Sequence, residues 1–236
     1  MVPPDRFIAV LEDTGLILPV GAWVIRAACA DLAAWDRLGL APLHMAVNLS
    51  ARQFRHQFLA TLVEDTLREN DIDPERLEFE LTETLLMEDT DINRGTLGQF
   101  ARIGVRVAID DFGTGHSSLS YLKRFNIDTL KIDRSFVSDL PGNTDDAAIA
   151  TAIIALGHSM QMKVVAEGVE TQAQADFLRQ LNCDSMQGYL LSRPLPADQL
   201  LPWLQAHQRQ LAARRRAAAH GNDTVPMELL TLEPAG

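Results

Sequence analysis

Two cysteines in 236 residues leave little for covalent cross-linking. Cys29 and Cys183 each lie among apolar or small residues, with no Cys-x-x-Cys spacing. That excludes a disulfide scaffold and a zinc ribbon, and it fits a reducing, cytoplasmic setting. Positive charge is also scarce: 21 Lys and Arg face 32 Asp and Glu, a formal net charge of -11. Duplex nucleic acid requires clustered basic residues on one face, so it is excluded as a partner. The one basic cluster, Arg214-Arg215-Arg216, lies in an Ala-rich stretch and reads as a solvated helix end. The opening Met1-Val2-Pro3-Pro4-Asp5-Arg6 has no basic-then-apolar leader pattern, and no apolar run is expected to span or contact a membrane.

With 47% hydrophobic and 22% charged residues, the composition is that of a globular protein. Folding a chain of this length buries roughly 70% of its unfolded surface, enough for one core without staples. Residues 1–206 are expected to form one domain, and 207–236 a polar, Ala- and Arg-rich tail with little to bury, fraying beyond Ala212.

Short β-branched or apolar runs recur at Leu43–Leu49, Leu77–Thr82, Val105–Ile109, Thr129–Ile132, Lys163–Ala166 and Ser185–Leu190, and read as strands. Between them, helical spacing covers Gly21–Leu38, Arg52–Asn70, Asp91–Ile103, Ser117–Phe125, Asp145–Met160 and Thr171–Leu181. Asp5–Glu12 reads as a short helix and Leu195–Gln210 as a closing one. Strict alternation implies a parallel sheet with helices packed on it, either doubly wound or closed into a (β/α)8 barrel. Every strand run leads into polar residues: Asn48, Glu80 with Glu83, Asp110 with Asp111, Lys131 with Asp133, Glu167 with Glu170, and Gln187. A barrel gathers all its strand ends at one mouth, so the fold class expected is a TIM-like (β/α)8 barrel. Six strands are found where eight are needed, and the shortfall falls at the start; the barrel is expected to be incomplete, with its first two strands missing from this chain.

Asn48, Glu80, Asp110, Asp111 and Glu167 offer oxygen at neighbouring strand ends, unaccompanied by clustered His or Cys. That donor set suits Mg2+ or Mn2+ rather than Zn2+, and two such ions could activate a water and stabilise the leaving oxygen of a phosphodiester. Lys131 sits inside an apolar strand and is expected to point into the mouth. It would serve either as a fixed charge positioning water and phosphate or as a Schiff-base nucleophile, and the pattern does not separate the two. Asp110-Asp111-Phe112-Gly113-Thr114-Gly115-His116-Ser117-Ser118 lacks the order of a phosphate-binding P-loop; its glycines read as turn formers and Ser117 as a helix cap. His44, His56, His158 and His207 have no ligand spacing, and Trp23 and Trp35 read as core. Asp133 could simply pair with Arg134 or another nearby base; Glu83 and Glu170 could be ligands or anchors of ligands.

Several segments occur together in one order: Pro3-Pro4-Asp5-Arg6-Phe7-Ile8, Val47-Asn48-Leu49-Ser50, Glu80-Leu81-Thr82-Glu83, Asp110-Asp111-Phe112-Gly113-Thr114-Gly115, Lys131-Ile132-Asp133, Glu167-Gly168-Val169-Glu170 and Gln187-Gly188-Tyr189-Leu190. In these the chain resembles the EAL domain family of cyclic di-GMP phosphodiesterases from Val2 to Leu204. The resemblance implies metal-dependent hydrolysis of cyclic di-GMP to pGpG. It implies Asn48, Glu80, Asp110, Asp111 and Glu167 as metal ligands, Lys131 and Gln187 around the catalytic water, Glu83 as the anchor of the loop beginning at Asp111, and Tyr189 and Pro194 in a guanine pocket. His116 stands where the family usually carries tyrosine. The Glu-Ala-Leu strand that names the family, with its metal-ligand glutamate and a phosphate-facing arginine, has no counterpart here. The resemblance therefore also allows a module that binds cyclic di-GMP or a protein without hydrolysis. A homodimer and an attached sensory or GGDEF domain are the further partners it suggests.

Overall fold

The structure is a computed structural model that describes residues 4–40, 42–88, 90–115, 122, 125–196, 199–209 and 231–232. Six strands run parallel: β1 (His44–Asn48), β2 (Leu77–Thr82), β3 (Arg106–Phe112), β4 (Thr129–Ile132), β5 (Lys163–Ala166) and β6 (Ser185–Met186). They lie side by side in chain order, β6-β5-β4-β3-β2-β1, and curl into a half-barrel of the TIM type. A seventh short strand, β7 (Thr231–Leu232), pairs in parallel with the outer edge of β1, opposite His44 and Met45.

The period-2 alternation of a strand sorts its side chains between two faces. Met45, Val47, Leu77, Phe79, Leu81, Val107, Ile109, Leu130, Ile132 and Val164 join the main hydrophobic cluster beneath the helices. The alternate positions, Asn48, Glu78, Glu80, Asp110, Thr129, Lys131 and Ser185, carry the polar groups to the concave face. Parallel pairing sets Asn48 beside Glu80, Thr82 beside Asp110 and Lys131 beside Val165. The register brings the expected site residues to one end.

The helices are α1 (Ile8–Thr14), α2 (Ile17–Arg37), α3 (Ala51–Phe54), α4 (Leu59–Asn70), α5 (Glu83–Met87), α6 (Asp91–Ile103), α7 (Thr144–Ser159), α8 (Gln172–Gln180) and α9 (199–209). The single helix expected over Arg52–Asn70 is two. Ser50 and Gln53 close a capping box at the first, and Gln53 turns back against Gly21, where a Cβ would lie 1.8 Å from its Nε2. Thr171 and Gln174 form a second capping box at α8. The sequence reading missed α5, and β3 continues past Ile109 to Phe112, so Asp110 and Asp111 are strand residues. β6 keeps only Ser185 and Met186 of the run expected to Leu190, because the chain turns at Gly188.

Two other expectations are corrected. Trp35 is buried, but Trp23 is 66% exposed. Helix α2 is also long and apolar enough to cross a bilayer, contrary to the expectation that no such run exists. Its Ile17, Gly21, Ile25, Ala28, Cys29, Leu32 and Trp35 are buried, so one face of the helix packs on the core. Both cysteines are free thiols. The helix expected over Ser117–Phe125, the Ser117 cap, His116 and the cluster Arg214-Arg215-Arg216 fall wholly or largely outside the described residues, as does most of the tail.

Candidate metal-dependent active site

Lys131 is the centre of the mouth. It is 1% exposed, and its Nζ lies 2.6 Å from Glu80 Oε1, 2.7 Å from Glu167 Oε1 and 3.3 Å from Asp110 Oδ1. Strand β4 aims it inward because Leu130 and Ile132 on either side belong to the opposite, apolar face. An ammonium surrounded by three carboxylates fits a fixed charge better than a Schiff-base nucleophile, which must lose its proton to react. Glu80, likewise 1% exposed, also accepts from Asn48 Nδ2 at 3.0 Å, which ties β1 to β2.

Asp110 and Asp111 diverge although adjacent. Asp110 faces Lys131 and accepts the backbone N–H of Asp111 at 3.1 Å. Asp111 adopts a left-handed backbone, φ 55°, uncommon for a residue other than glycine and found repeatedly at functional sites. Its carboxyl is raised above the usual range by burial, by the adjacent Asp110 and by Asp133, with which it shares a hydrogen bond. Asp133 stays below its usual range: burial opposes this, but the Ser135 hydroxyl and N–H both donate to it. In place of an ion pair with a nearby base, Asp133 has Ser135, Asp111 and the Arg134 backbone as its partners.

Glu83, 2% exposed at the start of α5, accepts the N–H of Gly113 at 3.1 Å. Gly113 has φ 99°, and a Cβ there would come 2.9 Å from the Phe136 ring. Gln187 hangs on β5, its N–H donating to the Ala166 carbonyl at 2.8 Å while its own carbonyl accepts from Val169. Its side-chain Oε1 is buried and has no hydrogen-bond partner among the described residues. Gly188 must be glycine, since a Cβ would sit 2.2 Å from the Val169 carbonyl oxygen. Tyr189, half exposed beyond this turn, carries the Arg193 guanidinium over its ring at 4.5 Å, and Pro194 is exposed beside it in sequence. Glu170 is exposed, its N–H bound by Gln174. His44, His158 and His207 face Glu75, Asp184 and Trp203 respectively, and His56 faces Phe58, all outside this cluster.

The donors match a hard cation. Asp110, Asp111 and Glu167 each present an oxygen within 4.8 Å of the others, and the group contains no His or Cys. Glu80 and Asn48 extend the same oxygen surface. The sequence reading missed Glu78 and gave Asp133 only an ion-pair role. Both share the concave-face alternation with Lys131 and Glu80, and Glu78 accepts from the Thr129 hydroxyl at 2.5 Å below the cluster. Burial raises the Glu78 carboxyl, and the Thr129 hydrogen bond partly offsets this.

Comparison with known proteins agrees with this geometry. The bifunctional diguanylate cyclase/cyclic di-GMP phosphodiesterase MucR of Pseudomonas aeruginosa is 48% identical over 201 residues, 85% of this chain and 29% of MucR. The cyclic di-GMP phosphodiesterase NbdA of the same organism is 42% identical over 217 residues, 92% of this chain and 28% of NbdA. The chain thus spans less than a third of these relatives' length. Among solved structures, the phosphodiesterase of MucR in complex with c-di-GMP superposes with a TM-score of 0.80 at 48% identity, covering 84% of this chain and 80% of that one. The pattern that defines the EAL domain matches residues 1–194, and on that match the chain belongs to the EAL domain family.

Proposed function

We propose that the mouth of this half-barrel hydrolyses cyclic di-GMP to pGpG with Mg2+ or Mn2+, in cytoplasmic second-messenger signalling. The observation that carries the reading is Lys131 among Glu80, Asp110 and Glu167, a buried positive charge in a ring of hard oxygen donors. In this reading Asn48, Glu80, Asp110, Asp111 and Glu167 hold the metal ions, which when bound lower the pKa of a water and offset phosphate charge. Lys131 and the buried Gln187 oxygen orient that water in line with the scissile P–O bond. Lys131 also faces the negative charge that grows on the phosphate. Glu83, through Gly113, holds the backbone that carries Asp111. Tyr189 and Pro194 offer a flat apolar rim suited to a guanine base.

The proposal includes two preceding strands that supply a further metal-ligand carboxylate and an arginine and close the barrel. It also includes a homodimer, and an attached sensory or GGDEF domain, the latter supported by the greater length of MucR and NbdA. The test compares cyclic di-GMP hydrolysis by this chain and by one extended upstream, with Mg2+ and with Mn2+. Activity in the extended chain alone is the expected result. Full activity of residues 1–236 would show that the extra strands are dispensable. Tight binding with no turnover in either would establish a receptor instead.

A further inference from the structure

A cleft of about 390 Å3 lies between α2 and α4, outside the barrel mouth. None of the residues that line it belongs to the oxygen-donor cluster. Ile25 and Leu59 are buried at its base, and Leu18 and Leu62 stand half-buried beside them. Phe58, 61% exposed, forms a lip with the His56 ring, their centroids 5.7 Å apart. That volume and that apolar lining are those of a small-molecule site.

One polar group in the cleft is set for a ligand. Gln53 is only 7% exposed. Its Oε1 accepts from the Ser50 N–H at 3.1 Å in the capping box of α3, which fixes the amide and turns Nε2 toward Gly21. A Cβ on residue 21 would lie 1.8 Å from that Nε2, so the glycine is what makes room for the amide. Nε2 meets no acceptor among the described residues, and both Gln53 and Gly21 line the cleft. Buried donors are almost always paired, so a donor left open here calls for an acceptor oxygen from outside the chain.

The charges along the cleft select among acceptors. Asp65 is paired with Arg68 at 2.5 Å, and Arg26 and Glu69 add one charge of each sign, so the cleft is neutral overall. A carboxylate would find no net positive charge to offset its desolvation, and an amine would place a donor against the Gln53 donor. An uncharged carbonyl satisfies Nε2 without burying a charge.

We propose that this cleft binds a small uncharged acyl compound, an amide or ester with an apolar chain, whose carbonyl oxygen accepts from Gln53 Nε2 while the chain lies along Leu18, Leu59 and Leu62.

Titration of the full chain with hexanamide, followed in 1H–15N correlation spectra, tests this without any phosphodiester hydrolysis. The expected result is a saturable shift of the Gln53 side-chain N–H signals, with hexylamine producing none. Gln53→Glu keeps the capping box, in which glutamate serves as well as glutamine, but replaces the donor with an acceptor. That variant, read at the Leu59 and Leu62 amides, should bind hexanamide about tenfold more weakly, as expected for one lost hydrogen bond, and should gain affinity for hexylamine. Ala22→Phe, at a half-buried position lining the cleft, should fill it and abolish binding while the helical circular dichroism is kept. The proposal would be overturned if hexanamide gave no saturable shift at Gln53, or if the parent bound hexanamide and hexylamine equally. Hexanamide binding unchanged in both Gln53→Glu and Ala22→Phe would overturn it too, by placing the ligand elsewhere.

Discussion

Lys131 Nζ lies 2.6 Å from Glu80 Oε1, and each residue is 1% exposed. A buried ion pair stabilises little against a hydrophobic replacement of both partners, yet removing one partner is expensive because the other charge stays buried. Here one ammonium faces three carboxylates, so it is the main counter-charge of the metal-free mouth.

Lys131→Met should therefore cost about 3–5 kcal/mol of unfolding free energy in the presence of a chelator, the usual loss when one buried partner goes. Urea unfolding measures it. Mn2+ should narrow the gap between variant and parent, because the carboxylates bind a cation more tightly once the ammonium is gone and the variant's native state therefore gains more by mass action. A gap unchanged by Mn2+ would mean that the ion does not occupy this cluster.

Metal affinity should fall on acidification sooner than for ordinary carboxylates. Burial, Asp110 and Asp133 raise Asp111, so it holds a proton at a higher pH, and the cation must displace that proton. In the metal-free protein the sign runs as for any raised acid. Asp111's stabilising contribution is fully present below its unfolded pKa and is lost as pH rises through its folded pKa. Calorimetric titration with Mn2+ in buffers of differing ionisation enthalpy should report a proton release that grows as pH is lowered.

Gly188→Ala should destabilise the turn that follows β6. The added Cβ would be placed 2.2 Å from the Val169 carbonyl oxygen, a contact the backbone must move to relieve. Overpacking of this kind costs about 1–3 kcal/mol. Thermal unfolding checks the stability, and exchange at the Val169 amide, which donates to the Gln187 carbonyl, reports the displaced loop.

The two thiols should resist labelling in the native state. Burial pushes Cys29 up to about 11 and Cys183 up to about 12, so almost no thiolate exists at neutral pH. An aromatic disulfide reagent should react with the buried Cys29 at the rate of global unfolding and with the partly exposed Cys183 slowly, and denaturant should make both sites react at once.

Much of this was legible in the sequence, for physical reasons that differ by residue. The strands of a parallel sheet read as apolar runs, so β1, β2, β4 and β5 lie at or within a residue or two of the expected bounds. Lys131 stood out because a lysine between Leu130 and Ile132 must leave the apolar face. Asp133 was harder to place, because a sequence-adjacent arginine offered a simpler partner than an aspartate brought close by folding. Trp23 was misassigned for a related reason: α2 is apolar on two sides, and periodicity cannot say which side the core takes. The turn at Gly188 depends on contact with Val169, nineteen residues earlier, and leaves no local trace beyond the glycine itself.

The most direct test of the central claim is hydrolysis of cyclic di-GMP with Mn2+ by the upstream-extended chain, compared with the same chain carrying Glu167→Gln. Linear pGpG should accumulate with the parent, while the variant should lose about 100- to 1,000-fold in kcat, the usual cost of one electrostatic group at a transition state. Equal rates in the two proteins, or substrate bound by both without any linear product, would contradict a metal-dependent phosphodiesterase site at this mouth.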